Sequence, residues 1–156
     1  MANTYTQIHL HLIFAVQNRI SLIQDSWAER LYQYITGIVQ TNKHKMIIVN
    51  GMPDHLHIAI GMRPTQSLSD LMQDIKGGSS KWINDNKFST GKFQWQEGFG
   101  AFSYNKSSLP KLIDYIKNQK EHHQKKTFLQ EYKEFLDLFE VEYDERQAHK
   151  IGYSIS

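Results

Sequence analysis

The chain has 156 residues, 40% apolar and 22% charged, with a formal net charge of +2 at pH 7. That fits one globular domain with a sizeable core and excludes a disordered or fibrous chain. With no cysteine, no apolar run of membrane-span length and no basic-then-apolar leader pattern, disulfides, thiol catalysis and cysteine-type zinc sites are excluded, and a soluble, cytoplasmic protein is expected.

Residues 4–16 are rich in β-branched and aromatic side chains and begin in alternation, which predicts a strand ending before Gln17. It contains one His-Leu-His pair, His9 and His11. Residues 25–43 carry Trp27, Leu31, Tyr34, Ile35, Ile38 and Val39 at helical spacing, with Asp25 or Ser26 as N-cap. Residues 45–50 read as a second strand, 51–54 as a short turn, and the stretch from His55 as a third strand antiparallel to the second. Ser67 opens a helix running to about Asn86, and Gly77-Gly78-Ser79-Ser80 predicts a bend or break within it. Residues 87–97 read as a loop with Phe88, Phe93 and Trp95, which are either base-stacking platforms or core. Gly98 to Tyr104 reads as a strand whose glycines admit a close approach. Ser107 or Ser108 caps a helix with Pro110 in its first turn, running to about Lys126. Thr127 begins a further amphipathic helix through Leu129, Tyr132, Phe135, Leu136 and Phe139, and an extended tail follows from Val141.

The order β-α-β-β-α-β followed by helices is the ferredoxin-like, split-βαβ pattern, an α+β class with an antiparallel sheet and helices on one face. The division is a core over about 4–104, a helix over about 108–126 and a C-terminal helix and tail over 127–156. RNA-binding RRM modules share this order, so it does not fix function. Residues 105–126 hold six lysines against Asp114 and Glu121, whereas residues 127–146 hold seven acidic residues against Lys133 and Arg146. Such a contrast marks either a surface for a polyanion or two ordinary solvated faces.

The chemistry-bearing stretch is Pro53-Asp54-His55-Leu56-His57. Strand residues two apart share a face, so His55 and His57 project together while Leu56 turns into the core. Two such imidazoles bind a divalent metal or are hydrogen-bonded to neighbours, and His9 and His11 are the rival pair. The two pairs can also meet on one sheet face. Tyr115 and Gln119 stand one turn apart on a helix, with His122 and His123 continuing that side. Tyr115 is either a nucleophile or a packing residue, and the Gln119 carbonyl can complete a metal site for Mg2+ or Mn2+ or lie in solvent.

Pro-Asp-His55-Leu56-His57 resembles the HUH motif (His, hydrophobic, His). Tyr115-Ile-Lys-Asn-Gln119 resembles the Tyr-x-x-x-Gln of single-tyrosine HUH transposases, the IS200-like enzymes of small bacterial insertion sequences, to which REP-associated tyrosine transposases are related. Trp95 to Ser103, Tyr115 to His123 and Phe128 to Tyr132 also resemble segments of that family. The resemblance implies cleavage and rejoining of single-stranded DNA through a 5′-phosphotyrosine on Tyr115. It implies Mg2+ or Mn2+ held by His55, His57 and Gln119, and no nucleotide cofactor. It further implies recognition of DNA hairpins at element ends and a homodimer sharing its active sites in trans. Arg19, Lys76, Lys81, Lys111, Lys117, His122 and His123 are the candidate DNA-contacting residues. A host-tamed nuclease that processes repeats and a non-catalytic RRM-like binder are the alternatives. The binder would need sheet-face aromatics where this sequence has histidines.

Overall fold

The structure is a computed structural model that describes residues 4–123 and 126–142, apart from the His122 side chain. The expected tail from residue 143 onward lies outside the described residues. The elements are β1 (His9–Ala15), α1 (Asp25–Thr41), β2 (Lys45–Met52), β3 (His55–Gly61), α2 (Leu68–Asp85), β4 (Gly100–Tyr104), α3 (Leu109–Lys117), α4 (Gln119–His122) and α5 (Phe128–Leu138). The strands form one antiparallel sheet in the order β2-β3-β1-β4. This is the ferredoxin-like arrangement that the element order predicts. No helix among the described residues is long and apolar enough to cross a membrane.

Alternation along the two central strands separates two faces. Leu12, Phe14, Leu56, Ile58 and Ile60 point to one side and meet Trp27, Leu31, Ile35 and Val39 of α1 and Leu71, Met72, Ile75 and Ile83 of α2. Each such fully buried aliphatic contributes about 1.5–3 kcal/mol, so this layer is the main source of stability. The odd-numbered residues point the other way. There Ile13, Ala15 and Phe102 pack on Phe128, Tyr132 and Leu136 of α5, and Ala59 packs on Leu112 and Ile116 of α3. The C-terminal helices therefore cover the face that a bare split-βαβ unit leaves open, and that face carries the histidines.

Several elements differ from the sequence expectation. Thr4 to Ile8 is exposed and lies outside β1. The ladders end opposite His9, at Gly61 and Tyr104, and beyond them Ile8 keeps one backbone bond, its carbonyl accepting from Met62 N at 2.8 Å. The β2–β3 hairpin is tighter than expected: Gly51 and Met52 are strand residues and only Pro53 and Asp54 make the turn. Helix α2 continues through Gly77 to Ser80 without a break. A Cβ on Gly78 would lie 3.0 Å from Ile38 Cδ1, so this glycine lets α1 and α2 approach. The Ser79 hydroxyl donates to the Ile75 carbonyl and accepts from Trp95 Nε1. Phe93 and Trp95 are core residues, and Phe88 stacks on Trp27 with Arg30 over its ring. The helix expected over 108–126 is broken at Asn118, where ψ swings to 30°. Asn50 Nδ2 of β2 donates to the Ile116 and Lys117 carbonyls at 2.9 and 3.1 Å and satisfies the end of α3. The expected close approach at β4 is present, since a Cβ on Gly100 would meet the Tyr132 ring at 2.5 Å.

Candidate metal and nucleophile site

The site lies where β3 leaves its two-residue turn, under α3, α4 and α5. His55 and His57 are fully buried on the second face, and Leu56 is fully buried in the first core. The side-chain nitrogens of His55 are set by its neighbour. Nδ1–H donates to Asp54 Oδ1 at 2.7 Å, and Asp54 Oδ2 accepts from Arg19 Nε at 2.7 Å and Nη2 at 2.5 Å. Burial alone would raise the Asp54 pKa. The His55 hydrogen bond and the His55 and Arg19 charges outweigh it and hold the carboxyl at about 2. The Arg19 guanidinium also sits 5.1 Å over the Phe128 ring. With Nδ1 held by Asp54, His55 turns Nε2 into the interior.

His57 is held from the neighbouring strand. His11 Nε2 and His57 Nδ1 are 2.8 Å apart and the rings stack at 5.0 Å. Burial, then the proximity of His57, lower the His11 pKa well below its usual value, so His11 is neutral. His11 and His57 thus meet on one sheet face. His9, at the far end of β1 opposite Gly61, is partly exposed.

Four further side chains converge on the imidazoles. The break at Asn118 brings the fully buried Gln119 to the start of α4, with Oε1 at 3.4 Å from His55 Nε2. Glu131 enters from α5, whose first turn is fixed by a capping box between Thr127 and Gln130. Glu131 Oε1 lies 2.9 Å from His57 Nε2, 3.2 Å from His123 Nε2 and 3.8 Å from His55 Nε2. Its Oε2 accepts the Tyr115 hydroxyl and lies 3.4 Å from Gln119 Nε2. Burial is the main cause that pushes the Glu131 carboxyl up to about 7. Burial, then the His55 charge, lower His123 to about 4, so its imidazole is neutral. The ligand atoms of His55, His57, His123 and Glu131 all lie within 4.8 Å of one another.

This donor set fits a divalent cation. His55 Nε2 faces Gln119 Oε1 at 3.4 Å and Glu131 Oε1 at 3.8 Å, so imidazole nitrogens and side-chain oxygens converge on one buried point. A cation relieves such a convergence, and the Asp54–His55 pair has the carboxylate–histidine form that orients metal ligands. Two imidazoles with carboxylate and amide oxygens suit ions that accept both nitrogen and oxygen, Mn2+ readily and Mg2+ with more of its water retained. His55, His57 and Gln119 are closed off from solvent, while Tyr115 is half-buried beside a cavity of about 130 Å³ lined with Lys126, Glu131, Glu134, Phe135 and Leu138.

Tyr115, His55, His57 and Gln119, singled out from spacing, are thus brought together. The basic candidates are scattered. Arg19 is engaged with Asp54, and the Lys76 ammonium donates to the Gln96 and Gly98 carbonyls. Lys81 forms an exposed pair with Asp85, and Lys111 and Lys117 lie exposed on α3. His123 borders the site, and the His122 side chain lies outside the described residues. Glu131 was not foreseen. Its signal is a carboxylate inside the buried stripe Phe128, Leu129, Tyr132 and Leu136, where a charge needs a partner.

Comparisons with known proteins agree with this fold. The chain is 29% identical over 75 residues to the ISDra2 transposase TnpA of Deinococcus radiodurans, which is 48% of this chain and 54% of that protein. The chain therefore spans about half the length of that curated relative. A Deinococcus radiodurans crystal structure described as a transposase superposes with a TM-score of 0.60 at 21% identity, covering 76% of this chain and 95% of that one. A REP-associated tyrosine transposase bound to a REP hairpin superposes with a TM-score of 0.55 at 16% identity, covering 74% of this chain and 68% of that one. At such identities these two likenesses speak for the fold. Residues 4–119 match the family described as "Transposase IS200 like", and the chain, which carries His55, His57, Tyr115 and Gln119 within that match, belongs to this transposase family.

Proposed function

We propose that this protein is a metal-dependent transposase that cleaves and rejoins single-stranded DNA, with Tyr115 as nucleophile and His55, His57 and Gln119 as ligands of Mg2+ or Mn2+. The observation that carries the reading is the convergence of His55 Nε2 and His57 Nε2 on the Gln119 and Glu131 oxygens, with the Tyr115 hydroxyl anchored to the same carboxylate. When bound, the cation draws charge from the non-bridging phosphate oxygens and orients the scissile group. Asp54 and His11 hold the two imidazoles in orientation. The Tyr115 oxygen forms a bond to phosphorus as the bond from phosphorus to the 3′-oxygen breaks. The phenol loses its proton and the departing 3′-oxygen gains one. The resulting 5′-phosphotyrosine stores the phosphodiester energy, so a 3′-hydroxyl can rejoin the strand without a nucleotide cofactor.

Exposed Lys111 and Lys117 on α3, together with Arg19, Lys76, Lys81, His122 and His123, are the proposed contacts to DNA, with folded hairpins as the substrate class. Lysine contacts to phosphate would make binding fall steeply with salt. The working form is proposed to be a homodimer that shares its sites in trans. Leu138 of α5 is 72% exposed and extends the apolar surface for such an interface.

The test uses labelled single-stranded DNA from the flanks of the gene with Mn2+, resolved on a denaturing gel. Wild type should yield a covalent protein–DNA adduct, and Tyr115→Phe should yield none while still binding DNA. An adduct from Tyr115→Phe would assign the nucleophile elsewhere.

A further inference from the structure

Glu131 lies beyond the matched segment, which ends at residue 119, on a helix whose acidic character reads as solvated surface. It is nevertheless 3% exposed and stands at the centre of the site. Its two oxygens do different things. Oε1 faces three imidazole nitrogens, those of His57, His123 and His55. Oε2 faces the Tyr115 hydroxyl and the Gln119 amide.

We propose that Glu131 is a further metal ligand of this chain through Oε1, and that through Oε2 it positions the Tyr115 hydroxyl, so that one carboxylate joins cation and nucleophile. This rests on the metal reading above.

Three observations carry it. The first is placement: Glu131 supplies the carboxylate of the group in which the ligand atoms of His55, His57, His123 and Glu131 all lie within 4.8 Å of one another, whereas Asp54 binds the outer nitrogen of His55. The second is rigidity. Glu131 sits one turn into α5, and that helix is anchored by the Thr127–Gln130 capping box and by Phe128, Tyr132 and Leu136 against the sheet. The docked helix therefore carries Glu131 to the imidazoles. The third is cost. A carboxylate buried this deeply is expensive unless a cation joins it. Without Glu131 the proposed ligands, two imidazoles and one amide, are all neutral. A carboxylate supplies the charge that hard, strongly hydrated cations require.

The test is metal binding, measured apart from catalysis. Mn2+ is titrated into wild type, Glu131→Gln, His57→Ala and Tyr115→Phe by calorimetry, and the tyrosine near-ultraviolet difference spectrum is recorded alongside. Wild type should bind, Tyr115→Phe should bind with similar affinity, and Glu131→Gln should bind at least about tenfold more weakly. Mn2+ should perturb the tyrosine spectrum of wild type but not of Tyr115→Phe or Glu131→Gln. Should the glutamine variant fail to fold, Glu131→Asp, which keeps the charge but shortens the reach, is expected to weaken binding in its place. Wild-type affinity in a folded Glu131→Gln or in Glu131→Asp would overturn the ligand role. A tyrosine signal that persists in Glu131→Gln would overturn the positioning role. If His57→Ala also binds Mn2+ as wild type does, or wild type does not bind, the metal reading itself fails.

Discussion

Gly51→Ala tests whether the tight β2–β3 hairpin sets the position of His55. Gly51 lies opposite Leu56, one residue from the Met52–His55 pair that closes the hairpin. A Cβ at Gly51 would come within 2.3 Å of the His55 carbonyl oxygen and 2.6 Å of Leu56 Cδ2. The leucine tip can rotate away, but the carbonyl belongs to the strand that carries both histidines. Forcing extra volume into a packed interior costs about 1–3 kcal/mol, and the upper half applies where backbone must give way. At this chain length about 2–3 kcal/mol lowers the melting temperature by roughly 4–12 °C. The displaced carbonyl carries His55 with it, so Mn2+ affinity should fall by about tenfold or more. Gly37→Ala is the control. Gly37 lies within α1 with open space where the methyl would go, so alanine there should stabilise by about 0.5–1 kcal/mol and leave metal binding alone. Differential scanning fluorimetry with and without Mn2+ reads both. A Gly51→Ala protein that melts and binds like wild type would refute the argument, because the hairpin would then have slack that the contact distances deny.

Two further outcomes follow from the groups that hold the histidines. Asp54→Asn should weaken Mn2+ binding about 10–100-fold by releasing His55, and leave Arg19 without its carboxylate at a cost of about 1–3 kcal/mol; calorimetry and thermal melts check it, and unchanged affinity would count against the Asp54–His55 pairing. His11→Ala should cost about 1–3 kcal/mol, since His57 Nδ1 loses its buried partner. It should lower metal affinity less than His57→Ala does, and the reverse order would make His11 the ligand.

Alternation was enough to place His55 and His57 on one face with Leu56 on the other, because strand period is a local property. It also placed His11 on that face, and one register brings it beside His57. The features missed are those set by contacts distant in sequence. Gly77-Gly78 reads as a helix breaker on local propensity, but Gly78 answers to Ile38, forty residues earlier in the chain. The stop at Asn118 depends on Asn50, 67 residues from Lys117. Glu131 was hidden because it sits in an acidic stretch, and charge runs are read as solvated. Only its place within the stripe of Phe128, Tyr132 and Leu136 marks it as buried. The Asp54 role was masked by its place in a Pro-Asp turn, where the residue type already has a reason to occur.

The last prediction concerns which subunit's tyrosine serves which histidines. In the single chain α3 docks on its own sheet, through Leu112 and Ile116 on Ala59 and through Asn50. The sheet supplies His55 and His57. Everything after the short 3-10 turn Lys106–Ser108 supplies Tyr115, Gln119 and Glu131. In a trans dimer that whole block crosses. Mixing His55→Ala/His57→Ala protein with Tyr115→Phe protein under subunit exchange then gives mixed dimers with one doubly defective site and one intact site, so cleavage returns. The Tyr115–Glu131 bond argues that α3 and α5 travel together. Mixing Glu131→Gln with Tyr115→Phe should therefore stay inactive, because each crossing block carries one defect. Recovery in that second mixture would mean that α3 crosses alone and α5 stays on its own sheet. If both mixtures stay dead at concentrations that favour dimers, the cis docking of the single chain is the working arrangement, and the dimer, if it forms, shares no site.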